Sequence, residues 1–292
     1  MLHRWFRSLL NDELRIFVHP QYVLLTHLKR MYFTKQQIMQ QQVLSVDLSD
    51  PSNLWDALKY HLADAVNSNQ WRGVVKQGIR ASVVVSSHFA RYAVIPWSIE
   101  LAVERERQAF MRYRFNALFG DTAKTWDLQM SEPDFGKPAI ASGIDTKLLT
   151  ALQETLTAAN IKVSTISPYL MLAINQSTQQ IKQQNIDSDF WFVVIESERL
   201  CFALIENGIW GVIKNVAIET DLNAQINTLI QREMVNCNVL NALPIILYQM
   251  AQEADQALTV ANHPIVHIQP KGFEQTKNVH ETAVNKWSEV QV

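Results

Sequence analysis

Phe190-Trp191-Phe192-Val193-Val194-Ile195, Leu200-Cys201-Phe202-Ala203-Leu204-Ile205 and Trp210-Gly211-Val212-Ile213-Lys214-Asn215-Val216-Ala217-Ile218 are three runs rich in β-branched and aromatic residues, separated by short polar breaks. They read as strands. The second break, Asn207-Gly208, signals a tight hairpin because both residues tolerate positive φ. Asp221 then caps a helix carrying Leu222, Ile226, Leu229, Ile230 and Met234 at helical spacing, and Leu243 to Tyr248 supplies a further strand. The series is β-β-β-α-β.

The same series stands upstream. Leu14 to Val18, Tyr22 to Leu28 and Ile38 to Leu48 form a meander whose first break is His19-Pro20-Gln21. A helix opening at Asp50-Pro51-Ser52 carries Leu54, Leu58, Leu62, Ala65 and Val66. After a polar connection from Asn67 to Gly78, Ala81-Ser82-Val83-Val84-Val85-Ser86 has the unbroken apolar run of a buried parallel strand. Between the two series lie a strand at Ala90 to Pro96 and a long helix from Ser98 to about Gly120 with Ile99, Val103, Phe110 and Tyr113 on one stripe. Strands follow at Trp126 to Ser131 and Lys137 to Ser142, then a helix capped by Asp145, a strand at Lys162 to Ile166 and a helix from Pro168.

The expected class is α/β with mixed sheets in two lobes. An amphipathic segment at 1–11 precedes a first lobe at 12–185, which holds an inserted subdomain at about 98–165. A second lobe occupies 186–268, and 269–292 forms a polar, mobile tail. Gln249 to Leu258 reads as helical and Pro264 to Ile268 as one more strand.

Composition narrows the function classes. Of 292 residues, 48% are hydrophobic and 18% charged, which suits a buried core and excludes an extended disordered chain. With 26 basic and 28 acidic residues, a net charge of -2 provides no field for a nucleic-acid backbone. Cys201 and Cys237 cannot build a disulfide framework or a four-cysteine metal site, which fits a reducing compartment. No apolar stretch reaches the roughly 20 residues of a membrane-spanning helix, and arginines interrupt the apolar N-terminus where a signal peptide would be continuous. A cytoplasmic protein is expected.

The duplicated plan, with an insertion in its first half, resembles the actin-like superfamily of sugar kinases, chaperone ATPases and actin. Within it, Ala81 to Trp97 is similar to the strand-turn-strand of the cytoplasmic assembly proteins of type IV pili (PilM) and of the cytoplasmic domain of the type II secretion L protein. That segment ends in Ile95-Pro96 before a long acidic-basic helix, and Trp191 to Ile218 is similar to their second-lobe meander. The resemblance covers about residues 12 to 268. It implies a cytoplasmic scaffold that binds the short tail of a bitopic inner-membrane protein, PilN-like, and links it to a motor ATPase. A homodimer is left open.

Nucleotide-binding members of that superfamily use an Asp-x-Gly-type turn between the first two strands of each lobe, because glycine admits backbone amides to phosphate oxygens and the acid holds a metal. Here the first turn, Val18-His19-Pro20-Gln21, has neither glycine nor acid, and Pro20 has no amide to donate. The second, Glu196-Ser197-Glu198, presents carboxylates to a polyanion. Ala242-Leu243-Pro244-Ile245-Ile246-Leu247-Tyr248 lacks the glycine-rich adenosine contact, in a chain with eight glycines in all. No cofactor, metal or catalytic residue is therefore expected, and the protein is read as non-enzymatic. A divergent ATPase or sugar kinase with an unrecognised phosphate loop is the alternative.

Other constellations weigh lightly. His263 and His267 have helical metal-ligand spacing, yet Pro264 and the alternation of Ile265 to Ile268 favour a strand. Cys201 reads as a small core residue. Ser86-Ser87-His88 lack a nucleophile elbow and read as turn residues. Glu196 and Glu198 read as solvated acids at a hairpin tip rather than a hydrolase pair, and the charged helix bearing Glu100, Glu104, Arg105, Glu106, Arg107, Arg112 and Arg114 as a solvated face. Arg91, Tyr92 and Trp97 are the residue types that anchor interfaces and are the candidate partner-binding residues. Leu2, Phe6, Leu9 and Leu10 opposite Arg4 and Arg7 could contact an anionic membrane surface.

Overall fold

The computed structural model describes residues 12–31, 35–46, 54–76, 78–101, 103–131, 135–186, 188–249, 258–260, 262–268 and 270. The expected amphipathic segment at 1–11, the helix at Gln249 to Leu258 and the tail beyond 270 lie wholly or mostly outside them.

The first series comprises β1 (Glu13–Val18), β2 (Tyr22–Met31), β3 (Lys35–Ser45), α1 (Leu54–Asn67), α2 (Asn69–Lys76) and β4 (Arg80–Val85). Then come β5 (Ala90–Ile95), a 3-10 turn at Ile99–Leu101, α3 (Glu104–Phe119), a second 3-10 stretch at Gly120–Thr125, β6 (Trp126–Met130) and β7 (Ala139–Asp145). α4 (Thr146–Ala158), β8 (Lys162–Pro168) and α5 (Tyr169–Gln183) follow. The second series is β9 (Phe190–Glu196), β10 (Arg199–Glu206), β11 (Ile209–Ala217), α6 (Leu222–Cys237), β12 (Ile245–Gln249) and β13 (Ile265–Ile268).

These strands form two five-stranded sheets of one design. Their orders are β3-β2-β1-β4-β8 and β11-β10-β9-β12-β13. In each, the meander is antiparallel and its first strand then pairs parallel to the strand after the helix, which pairs parallel to one more. β5-β7-β6 makes a third, antiparallel sheet. The chain gathers into two compact units. One contains the described residues up to His88 with Thr146–Tyr169; the other contains Phe89–Asp145 with Leu170–Pro270.

Central position explains why β9 and the far end of β1 lack polar alternation. Leu14, Ile16, Phe17 and Val18 are at most 1% exposed, and all seven residues of β9 are buried, because a strand with neighbours on both edges and cover on both faces is mostly apolar; Arg15 and Glu196 are the buried charged exceptions. α1 turns Leu58, Leu62, Ala65 and Val66 inward and packs against α4, which buries Leu148, Ala151, Leu152 and Leu156. Lys59 and Glu154 pair at 2.8 Å across these two helices. α6 begins where Asp221 accepts from the Ala224 amide at 2.9 Å and ends at Asn238 in the left-handed region. Asn207 and Gly208 both take positive φ, as the hairpin signal required.

Three expectations are corrected. The connection from Asn67 to Gly78 contains α2, fixed by a fully buried Trp71 whose indole nitrogen donates to Gln42 Oε1. The long helix starts at Glu104, not Ser98, and its buried residues are Met111 and Phe115. Ile99, Val103 and Tyr113 of the expected stripe are 61–68% exposed. The 3-10 turn before the helix breaks the phase, so the inward stripe is set from Glu104 onward. Gly143 on β7 is required there by close approach: a Cβ would sit 2.8 Å from Leu128 Cδ2 and 2.9 Å from Phe115 Cε1.

Candidate functional sites

In parallel sheets, ligand sites form beyond the carboxyl ends of the strands. In the first unit Val18, Val85 and Pro168 are aligned in register, so His19, Ser86 and Tyr169 emerge side by side. His19 is 1% exposed, and Ser86, Ser87 and Tyr169 are fully buried. The His19 ring stacks on Tyr22 at 4.6 Å and meets the edge of His88 at 4.9 Å, while Phe17 contacts both Tyr22 and Tyr169.

The hydrogen bonds of the β1–β2 turn close on themselves. His19 donates its amide to the Tyr22 carbonyl at 2.9 Å. Pro20 has no amide, and the Gln21 amide donates to His19 Nδ1 at 3.2 Å. His19 Nδ1 is thus an acceptor and the ring is neutral in this arrangement. Each amide from His19 to Gln21 is either missing or already bonded inside the turn, so none of them is directed at an external anion. The Ser86 amide donates to Val18 O, Ser86 Oγ lies 2.9 Å from His88 Nδ1, and the His88 amide donates to Ser86 Oγ. These are turn residues, as expected, although the serine and histidine side chains do meet.

The matching turn of the second sheet differs. Glu198 sits at φ +63°, and Glu196 is only 5% exposed. The expectation of two solvated acids is thus corrected for Glu196: it is the last residue of a fully buried strand and shares that strand's burial. Elsewhere, Cys201 is a buried core residue on β10. His263 Nδ1 donates to the Leu243 carbonyl at 2.7 Å, and His267 lies on β13. Among the described residues no group of three or more His, Cys, Asp or Glu side chains could hold a metal ion, and no helix is long and apolar enough to cross a membrane.

The candidate partner-binding residues are placed apart by β5. Arg91 donates through Nη1 to the Ala90 carbonyl, and burial, then the neighbouring Arg199 charge, lower its pKa. Tyr92 is 5% exposed. Trp97, two residues beyond the strand, is 38% exposed and meets Phe135 edge-to-face at 4.9 Å. Trp97, Ile99, Leu101, Met130 and Phe135 line an open cavity of about 220 Å³ at this end of the third sheet. Arg107 and Lys137 also line it. Arg107 donates to the Leu101 carbonyl at 3.2 Å and pairs with Glu104, which fixes the 3-10 turn to the first turn of α3. Phe135 and the cavity were missed in the sequence, because a phenylalanine in the Pro133 to Gly136 connection carries no periodic signal.

Comparison with solved structures identifies the architecture. No family model matches the chain, and no curated protein matches it. A Bacteroides thetaiotaomicron protein with an actin-like ATPase fold superposes with a TM-score of 0.57 at 13% identity, covering 97% of this chain and 90% of that one. The cytoplasmic domain of EpsL, an inner membrane component of the Vibrio cholerae type II secretion system, gives 0.57 at 10% identity over 93% and 95%. The PilM-PilN type IV pilus biogenesis complex gives 0.56 at 11% identity over 93% and 94%. The chain has the actin-like fold that its duplicated sequence pattern implied. Within that fold, it is structurally similar to proteins of pilus and type II secretion assembly.

Proposed function

We propose that the protein is a non-enzymatic cytoplasmic scaffold of a type IV pilus or type II secretion-like assembly. It holds the cytoplasmic tail of a bitopic inner-membrane partner, links that partner to a motor ATPase, and reaches the membrane through these contacts. Its lobes are the duplicated halves 12–185 and 186–268. Two of the solved structures it resembles in fold come from such assemblies, one of them bound to PilN. The observation that carries the non-enzymatic reading is the self-bonded β1–β2 turn. Where the fold's nucleotide-binding members offer amides, this chain has the His19 ring, a proline and an amide bonded to its own neighbour.

Thermal unfolding with and without ATP and magnesium tests this reading. A ligand at 100 times its dissociation constant stabilises the folded state by roughly 2.7 kcal/mol, so occupancy would be plain to see. No shift is expected. A shift would overturn the scaffold reading in favour of an ATPase or sugar kinase. Alanine replacements of Arg91, Tyr92 and Trp97 are expected to weaken pull-down of the membrane partner by the folded protein. Unchanged pull-down by variants with wild-type circular dichroism would remove those residues from the interface.

A further inference from the structure

The loop between β10 and β11 joins two exposed residues that can react with each other: Asn207 at φ +53° and Gly208 at φ +71°. An asparagine followed by glycine can close on itself, because glycine has no side chain to shield its amide. The Gly208 nitrogen loses its proton to hydroxide and attacks Asn207 Cγ. The new N–Cγ bond displaces Nδ2 as ammonia and leaves a five-membered imide. Water then opens the imide at Cγ to give aspartate, or at the backbone carbonyl carbon to give isoaspartate, whose main chain runs through Cβ and Cγ.

The turn opposes this chemistry in three ways. A non-glycine residue at positive φ occupies a small left-handed well with ψ of about +30 to +60°. There the Gly208 nitrogen stands across the Cα–C bond from the Asn207 Cβ, whereas the imide needs both on one side. The Gly208 amide donates to the Ser188 carbonyl at 3.2 Å, which holds the proton that must leave. The Asn207 amide donates to Asp189 Oδ1, a charged acceptor that also receives Ser188 Oγ at 3.1 Å. Both amides of the loop are thus fastened to the residues just before β9.

We propose that Asn207 is a site of spontaneous deamidation that Ser188 and Asp189 keep closed. Release of Asp189 lets the tip rotate out of the left-handed well, and the imide forms. The change is one-way. It puts a new carboxylate beside Glu206 and Asp189, and isoaspartate adds a methylene to a loop whose two residues match the twist of its strands, so β10 and β11 no longer close at this end.

The test is peptide mapping by mass spectrometry after incubation of the full chain at pH 8.5 and 37 °C, native or in 6 M guanidinium chloride. The tryptic peptide Leu200 to Lys214 contains no other asparagine or glutamine, so an exchange of ammonia for water in it reports Asn207 alone. The native chain is expected to convert at least tenfold more slowly than the unfolded chain. Asp189→Ala should raise the native rate at least threefold without changing the unfolded rate. Asp189→Asn keeps an acceptor oxygen and should stay near wild type. Equal native and unfolded rates overturn the proposal, as does a native rate indifferent to Asp189→Ala, or no conversion in the unfolded chain. Should Asp189→Ala fail to fold, hydrogen exchange of the wild type decides: protected Asn207 and Gly208 amides support the latch, and amides exchanging as fast as in the unfolded chain overturn it.

Discussion

The two five-stranded sheets have the same strand order and the same pairing directions, yet the turns after their first strands are chemically unlike. In the first sheet the turn is sealed by the His19 ring, with a proline beside it. In the second it is a two-residue loop that forces Glu198 into a left-handed conformation and leaves Glu196 buried. Strand order follows from burial and turn placement over many residues. What a turn can bind follows from two or three side chains, so the architecture persists while the chemistry at its turns changes.

The largest effects should come from what the sheets share. Trp191 on β9 is fully buried against Phe202 with rings 4.8 Å apart, and Phe17 on β1 is 1% exposed in the first sheet. Trp191→Ala and Phe17→Ala should each cost about 3–5 kcal/mol in urea denaturation. A loss below 1 kcal/mol in either would break the equivalence of the two cores.

The turns should respond with opposite signs. His19→Ala removes the acceptor for the Gln21 amide in a buried place and should destabilise by about 1–3 kcal/mol. Glu198→Gly relieves a left-handed residue at an exposed position and should stabilise by up to about 1 kcal/mol. Effects of the same sign would show that the two turns are not built on different principles.

The smallest effect is a rate. Burial, followed by the nearby Glu233 carboxylate, raises the Cys237 thiol above its ordinary pKa. A raised thiol pKa means less thiolate at a given pH. Iodoacetamide at pH 8.5 should therefore alkylate Cys237 more slowly in the native than in the unfolded chain, and Glu233→Gln should speed the native reaction. Equal native and unfolded rates would refute the shift.

Most of the architecture was legible, for identifiable reasons. β9 and β10 are long apolar runs, Asn207-Gly208 takes the positive φ that its composition favours, and Asp221 caps α6 as an aspartate in that place should. α2 was hidden because its sequence is mostly polar and one tryptophan supplies its anchor. The face of α3 was misread because a 3-10 turn before Glu104 resets the angular phase, which periodicity counted from Ser98 cannot register. That the first turn carries neither glycine nor acid was readable. That His19 itself accepts the Gln21 amide was not, since a side chain's return onto its own turn depends on packing against Tyr22 and His88. Among the partner-binding candidates, Trp97 alone stands at an exposed groove. Tyr92 and Arg91 fall on β5, and residue type does not say which strand positions turn outward.

One carbonyl in this arrangement has a mechanical meaning. Ala90 O, at the base of β5, accepts from Arg91 Nη1 and from Asn215 Nδ2 on β11, and so fastens the third sheet to the second. β5 then runs six residues toward the groove, about 20 Å at roughly 3.3 Å per residue. Trp97, just past the far end of that strand, is thereby tied through Ala90 to β11, the edge strand of the second sheet.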